Sequence, residues 1–373
     1  MKTRFWYLMI VLLVLVAISA CGPAATEEAA PAEEAAPAEE APAEEAAPAE
    51  EEPAPEGGGA YVVGYLVPNS AEGQIMFMES FKRYAEDLGI DVIDVNADNN
   101  VEEQDRQCSD LIAQGVDALV TVPVDSEAIV ACVDRATEAG IPVFGIDRQP
   151  FSADTVMTVM SNNYQAGQQG AQCVVDRLTE RYGEPTGIVL EITGDLGTNV
   201  AQLRGNGFND EMANYPDIEV ITQPTDWLPE TGADVVQSTL AAEPELDAVY
   251  WHSDFTGAGV IPAIEEIGFL KPLDDEDHIF ICGIDGDPAS LDRIRAGSQD
   301  ATVNQPMLDF GVLAEFVKKY LDGEELSTGI YEQDGAMWSP AEIEDTEYGL
   351  TMLLGTWLVT QENVEDPTLW GNQ

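Results

Sequence analysis

Basic residues are scarce in this chain. Lys and Arg number 15 against 70 Asp and Glu in 373 residues, a formal net charge of −55. Phosphate backbones are gripped by clustered Lys and Arg, so a nucleic-acid partner is excluded. Histidines number two, cysteines five, and no Cys-x-x-Cys spacing occurs. A zinc site therefore has too few ligands to draw on, and no metal or cofactor is expected. No Gly-x-Ser-x-Gly elbow is present, and neither His252 nor His278 stands beside a recognisable nucleophile. A hydrolase is disfavoured on that ground. The apolar run at residues 5–18 is short for a membrane span.

That run follows Lys2 and Arg4 and leads into Ser19-Ala20-Cys21. A charged start, a short apolar stretch and small residues make a signal peptide over residues 1–21. Ile18-Ser19-Ala20-Cys21 resembles the lipobox of bacterial lipoproteins. The resemblance implies lipid on Cys21, the mature N-terminus there, and anchorage at the outer face of a membrane. The alternative is a plain secretory signal that contains a Cys. Residues 22–59 repeat Glu-Glu-Ala-Ala-Pro-Ala, with charge of one sign and nothing bulky to bury. Such a segment is expected to be an extended, disordered tether. It holds 12 of the 70 acidic residues and none of the basic ones, so the remainder is acidic in its own right.

The remainder, about 314 residues, is too long for one small domain and suits two lobes. From residue 61 the pattern alternates strand and helix. Strands are expected at 61–67, 91–95 and 118–122, and helices at 74–88, 101–114 and 126–139, the last capped by Ser126. Leu88-Gly89-Ile90, Gln114-Gly115-Val116 and Ala139-Gly140-Ile141 repeat one helix–Gly–strand junction. That repetition marks right-handed crossovers and a parallel sheet covered on both faces. A second set of the same kind starts after Ser161. Cys108 and Cys132 fall on successive helices that cover one sheet face, so a disulfide between them is expected in an oxidising compartment. Cys173 and Cys282 read as small buried hydrophobes.

Val143-Phe144-Gly145-Ile146 is an apolar strand that ends in Asp147-Arg148, and the strand at 278–284 likewise delivers Asp285. In open α/β sheets, ligands sit beyond the carboxyl ends of strands. An acceptor-only carboxylate beside a five-donor guanidinium can grip neighbouring hydroxyls. The bland alternative is a strand-end ion pair. Arg204 on a second-lobe helix and Asp285 offer the matching pair. Trp227 reads either as an aromatic plate for a ligand or as a surface or core aromatic. Trp251 and Tyr65 read as core, and Asp254 as a cap for the following helix.

Several stretches in this order carry a family resemblance: 118–126, 140–149, 161–167, Arg204-Gly205-Asn206-Gly207-Phe208, Gly283-Ile284-Asp285-Gly286 and 301–305. Over residues 60–330 the chain resembles periplasmic sugar-binding proteins of the ribose/galactose type, the capturing components of ABC importers. The resemblance implies a periplasmic binding protein type I fold, α/β, with two doubly wound parallel-sheet lobes joined by a multi-strand hinge. It places residues 60–162 plus about 306–335 in the first lobe, and 163–305 plus about 336–373 in the second. It implies that Asp147, Arg148, Arg204, Trp227, Ser253, Asp285 and Gln305 hold a sugar or polyol. It further implies a monomer, anchored to the membrane through Cys21, that delivers its ligand to an ABC permease. Gly73-Gln74 stands where the ribose binder has aromatics, and Val122 where it has Asn; both departures argue against ribose itself. A sensor feeding a chemoreceptor or kinase is the main alternative, a secreted enzyme a weaker one. A repressor effector domain is contradicted by the export signal.

Overall fold

The computed structural model describes residues 60–373. The expected signal segment, Cys21 and the tether lie outside the described residues. The first lobe begins β1 (Tyr61–Val67), α1 (Glu72–Asp87), β2 (Ile90–Asn96), α2 (Val101–Gln114), β3 (Ala118–Thr121), α3 (Val130–Glu138), β4 (Val143–Ile146) and β5 (Thr155–Ser161). The second lobe follows with α4 (Asn163–Tyr182), β6 (Gly187–Thr193), α5 (Asn199–Met212), β7 (Ile218–Pro224), α6 (Pro229–Ala242), β8 (Ala248–Trp251), α7 (Asp254–Glu266), β9 (Phe280–Asp285), α8 (Pro288–Ala296) and β10 (Ala301–Asn304). The chain then returns through a 3-10 turn, Met307–Val312, to α9 (Leu313–Leu321), β11 (Gly329–Tyr331), β12 (Ala341–Thr346) and β13 (Gly349–Leu354). It ends the described elements with β14 (Trp357–Thr360) and a 3-10 turn at Trp370–Asn372.

Each lobe is built on one sheet. The eight-stranded sheet runs β11-β12-β13-β5-β4-β3-β1-β2 and the six-stranded sheet β14-β10-β9-β8-β6-β7. The five parallel strands that open each lobe share one order, with the first strand between the second and third. This is the doubly wound arrangement, whose ligand crevice lies at the carboxyl ends of the strands. Period-two alternation supplies both faces of each sheet. In β1, Val63, Tyr65 and Val67 join the core under α1 and α9, while Leu66 turns to the face under α2 and α3. In β8, Tyr250 packs with α4 on one face, and Val249 and Trp251 pack with α6 and α7 on the other.

Cys108 and Cys132 are joined as a disulfide on the α2–α3 face, while Cys173 and Cys282 are free and buried. Ser126 does not cap α3. Asp125 Oδ1 caps the turn at 126–129, accepting from Glu127 N at 2.9 Å and Ala128 N at 2.7 Å, and the regular helix starts only at Val130 with no side-chain cap of its own. Ser126 instead faces the second lobe, where its Oγ accepts from Asn199 N at 3.3 Å.

The lobes are connected three times: from β5 to α4, from β10 to the turn at Met307, and from β13 to β14. The third passage falls at residues 354–357, later than the boundary near 335–336 expected from the sequence. The cause is β13, which pairs parallel with β5 from Leu350↔Met157 to Leu354↔Ser161 and keeps this stretch in the first sheet. Its partner β12 is antiparallel and buries Ala341 and Ile343 between exposed carboxylates.

The Cys108–Cys132 bridge spans a sequence separation of 24. Replacing both residues by Ala should cost ~3 kcal/mol in denaturant unfolding, because the open chain regains loop freedom. An unchanged unfolding midpoint would show that the bridge does not constrain the unfolded chain.

Candidate functional site

Between the lobes, at the carboxyl ends of both sheets, lies a cavity of about 170 Å³. It is smaller than the roughly 300–1,000 Å³ that drug-sized ligands occupy, so it suits a small molecule. Asp147, Arg148, Arg204, Trp227, Ser253, Asp285 and Gln305 all line it. Every ligand residue expected from the sequence is therefore brought to one place.

Asp147 follows β4 in a three-residue turn. Arg148 N donates back to Ile146 O at 2.7 Å, which sets Asp147 at φ 63°. An Asp tolerates this conformation better than most side chains. The turn throws the carboxylate and the neighbouring guanidinium into the same gap. Asp147 Oδ2 accepts from Gln74 Nε2 at 3.1 Å and lies 3.8 Å from Arg148 Nε. Arg148 is steadied by donating through Nη1 to Pro123 O at 3.0 Å. Burial raises the Asp147 carboxyl, against Arg148 and the Gln74 hydrogen bond, and it lowers the Arg148 guanidinium.

The second lobe answers with Arg204 and Asp285. α5 lies close enough to α4 that a Cβ on Gly167 would sit 2.1 Å from Arg204 O, so Gly is required at that crossing. Arg204 Nε donates to Asn163 Oδ1 at 2.8 Å, and Nη1 donates to His252 O and to Asp285 Oδ1, the latter at 3.4 Å. Asp285 ends β9, the fourth strand of its lobe, just as Asp147 follows the fourth strand of the other. Its Oδ2 accepts from Ser253 Oγ at 2.7 Å and Asp254 N at 3.1 Å, and its Oδ1 from Gln305 Nε2 at 2.5 Å. Burial pushes the Asp285 carboxyl up to about 7; Arg204 opposes this and Asp254 adds to it.

Asp254 is not the cap expected of it. Ser253 caps α7. The fully buried Asp254 carboxylate accepts from Trp251 Nε1 at 2.9 Å, Thr302 Oγ1 at 2.6 Å and Gly286 N at 2.9 Å, which ties the end of β9 to its neighbours. Trp227, at φ 70°, lies against Gly194, with the Arg148 guanidinium 5.7 Å from its ring centroid. This cation–π contact crosses from one lobe to the other. Of five non-glycine residues with positive φ among the described residues, Asn99, Asp147, Trp227 and Asp285 line the cavity. Such strain collects where the surrounding structure holds a functional geometry.

Sequence reading passed over other participants. Gln74 was noted only as a departure, yet it hydrogen-bonds Asp147. Asn199 ties the lobes beside the cavity: Gln149 N donates to its Oδ1 at 3.0 Å, and Ser126 N donates to Gly197 O at 3.1 Å. No local pattern marks an Asn at the start of a helix as a bridge between lobes. His252 lies buried under the site with Nε2 3.0 Å from Glu191 Oε1, and His278 Nε2 lies 2.9 Å from Asp300 Oδ2. Among the described residues, no group of His, Cys, Asp and Glu could hold a metal ion.

Residues 63–325 match a family model described as a periplasmic binding protein domain. The ribose import binding protein of Bacillus subtilis (strain 168) is 30% identical over 258 residues, covering 69% of this chain and 80% of that protein. Among solved structures, the periplasmic binding protein component of the arabinose ABC transporter from Shewanella sp. ANA-3, bound to α- and β-L-arabinofuranose, matches with a TM-score of 0.68. It is 26% identical, over 82% of this chain and 94% of that one. The fructose binding periplasmic domain of a hybrid two component system shares the fold at a TM-score of 0.69 and 21% identity, over 82% of this chain and 92% of that one.

With its carboxyl raised to about 7, Asp285 keeps a proton in the folded state that the unfolded chain releases near pH 4. Its contribution to stability therefore falls as pH rises across that window and levels off above it. Asp285→Asn removes this dependence. Thermal midpoints at constant ionic strength should move in favour of the variant between pH 5 and pH 8. Parallel curves for the two proteins would place the titration on another group.

Proposed function

The chain belongs to the periplasmic binding protein domain family, and from that premise we propose that it captures a neutral monosaccharide or polyol and delivers it to an ABC import permease. The family works outside the cytoplasm. Anchorage by lipid on Cys21 and action as a monomer complete the reading. One observation carries it: Asp147 with Arg148 from one lobe and Arg204 with Asp285 from the other meet around one small cavity. With both carboxyls ionised their charges cancel, so the gap then favours a ligand without net charge. A buried charge is tolerable only when paired and hydrogen-bonded, and a ligand rich in hydroxyls extends such a network.

The open valences fit that ligand. Both interactions of the Asp147 carboxylate named above fall on Oδ2, which leaves Oδ1 to accept from a hydroxyl. Gln74 Oε1, Gln305 Oε1 and Trp227 Nε1 are buried without a protein partner, two acceptors and one donor at the cavity wall. Phe77, Leu228 and Met307 supply apolar wall for the C–H faces of a sugar ring. A ligand held from both lobes binds the closed arrangement better than the open one and shifts the population toward it. Gln74 takes the place of an aromatic, and Val122 is buried in the first-lobe core, away from the cavity wall. Both favour a ligand other than ribose.

The second reading keeps the same capture step and couples it to a kinase or chemoreceptor. It draws on the fold shared with a two component system's periplasmic domain. Co-purification with a permease or with a kinase separates the two.

A thermal-shift screen of pentoses, hexoses, their furanosides and polyols should single out one neutral class, while sugar acids and amino acids leave the midpoint unmoved. Asp147→Ala and Arg204→Ala should each weaken binding of the best ligand at least tenfold, since each removes a charge-assisted hydrogen bond. Both should also abolish ligand-induced compaction in small-angle scattering. Undiminished binding in both variants would remove the two residues from the site.

A further inference from the structure

We propose that Trp370 positions Asp285, which makes the segment 361–373 a working part of the binding cleft. This rests on the reading of the cleft as a ligand site and adds a residue beyond position 325, where the family match stops.

Asp285 has φ 132° and Gly286 φ 79°, so the chain leaves β9 through two successive residues at positive φ. That backbone path needs outside support, because an L side chain rarely adopts it. Support comes at both ends of the peptide between Asp285 and Gly286. Its N–H, on Gly286, donates to Asp254 Oδ2 at 2.9 Å, and its carbonyl, on Asp285, accepts from Trp370 Nε1 at 2.8 Å. With both groups held, the peptide plane cannot rotate. The Cα of Asp285 then aims its carboxylate at Ser253, Gln305 and Arg204.

Trp370 is itself held firmly. It is 5% exposed, and its ring groups with Met307, Phe310 and Trp338 in the first lobe's core, although its N–H serves the second lobe. Gly371 packs so close to the turn that a Cβ there would lie 2.6 Å from Gly286 O. Arg295 of α8 clamps the rest of the segment, donating through Nε to Glu365 Oε1 at 2.9 Å and through Nη2 to Asn372 Oδ1 at 2.5 Å. The indole thus joins the region of the lobe passages to the strand end that carries the cleft's second carboxylate.

Trp370→Phe keeps an aromatic ring in the core, deletes the donor and leaves a small void where the larger indole sat. The test uses the full chain and, as probe, whichever of D-ribose, D-xylose, L-arabinose or xylitol gives the largest thermal shift. The expected result is binding weakened by about tenfold, the scale of one hydrogen bond, with the thermal midpoint lowered by only a few degrees. In an Asp285→Asn background the same substitution should have a smaller effect, since the two residues act in one chain of contacts. A second readout needs no ligand: hydrogen exchange of the peptide containing Gly286 should quicken in Trp370→Phe, while exchange in the first-lobe helices stays as it was. Unchanged affinity with unchanged local exchange overturns the proposal. So does a general rise in exchange with a larger fall in the midpoint, which marks plain core packing. If none of the four probes shifts the unaltered protein, the reading of the cleft as a site for these sugars fails, and the exchange result alone judges the role of Trp370.

Discussion

Asp285 is 9% exposed, with Arg204 at 3.4 Å, and a carboxylate so placed is tolerable only while its donors stay where they are. Ser253 Oγ and Asp254 N come from the start of α7, Arg204 Nη1 from α5 and Gln305 Nε2 from the chain just past β10. Keeping them together fixes the relation of α5, α7, β9 and the chain just past β10. Asp254, itself buried, is tied to Trp251, Thr302 and Gly286, so one carboxylate braces the loop that carries the other. The second-lobe half of the cleft is thus a hydrogen-bonded framework with charge at its exposed end. Weakening it anywhere leaves a buried ion without compensation, which costs more than the lost contact itself.

The first lobe solves the same problem with fewer partners. Asp147 occupies the equivalent strand end, but of the donors in the site only Gln74 and Arg148 lie beside it. Both contacts fall on Oδ2, and the residue lines the cavity. The asymmetry divides the work between the lobes: one presents a saturated carboxylate that holds two arms of the protein together, the other an unsaturated one open to a hydroxyl. Arg148 links the halves by lying over Trp227, and Asn199 does so by receiving Gln149 N. The lobes therefore touch through polar groups beside the cavity as well as through those that line it.

Acidity outside the cleft follows another rule. Most of the ion pairs, such as Arg106 with Glu103 and Asp110, are exposed and contribute little to stability. Excess negative charge on the surface keeps such a protein soluble and repels anions, but it does not choose a fold. Inside the cleft, by contrast, acid and base are matched.

Much of this was legible in the sequence because it rests on local rules. Alternating apolar strands and amphipathic helices, with the repeated helix–Gly–strand junction of the first half, specify a doubly wound lobe, and the second alternating set specifies another. A strand that ends abruptly in Asp points to the crevice, which marked Asp147 and Asp285, while the family resemblance implied Arg204 and Trp227 beside them. The α2–α3 bridge followed from both helices lying on one sheet face. What could not be read locally were pairings between distant segments. Whether residues 341–354 join the first sheet or the second depends on the free edge of β5, which no residue in that stretch records. Ser126 looked like a cap because caps are local, whereas its partner Asn199 comes from the other lobe. Trp370 gave no sign of reaching a carbonyl 85 residues away. Sequence determined the lobes and the chemistry at their strand ends, since propensity and periodicity act over a few residues. Only the tertiary structure decided how the returning chain threads between lobes and which side chains hold the cleft in shape, since those depend on edges and gaps that exist once the chain has folded.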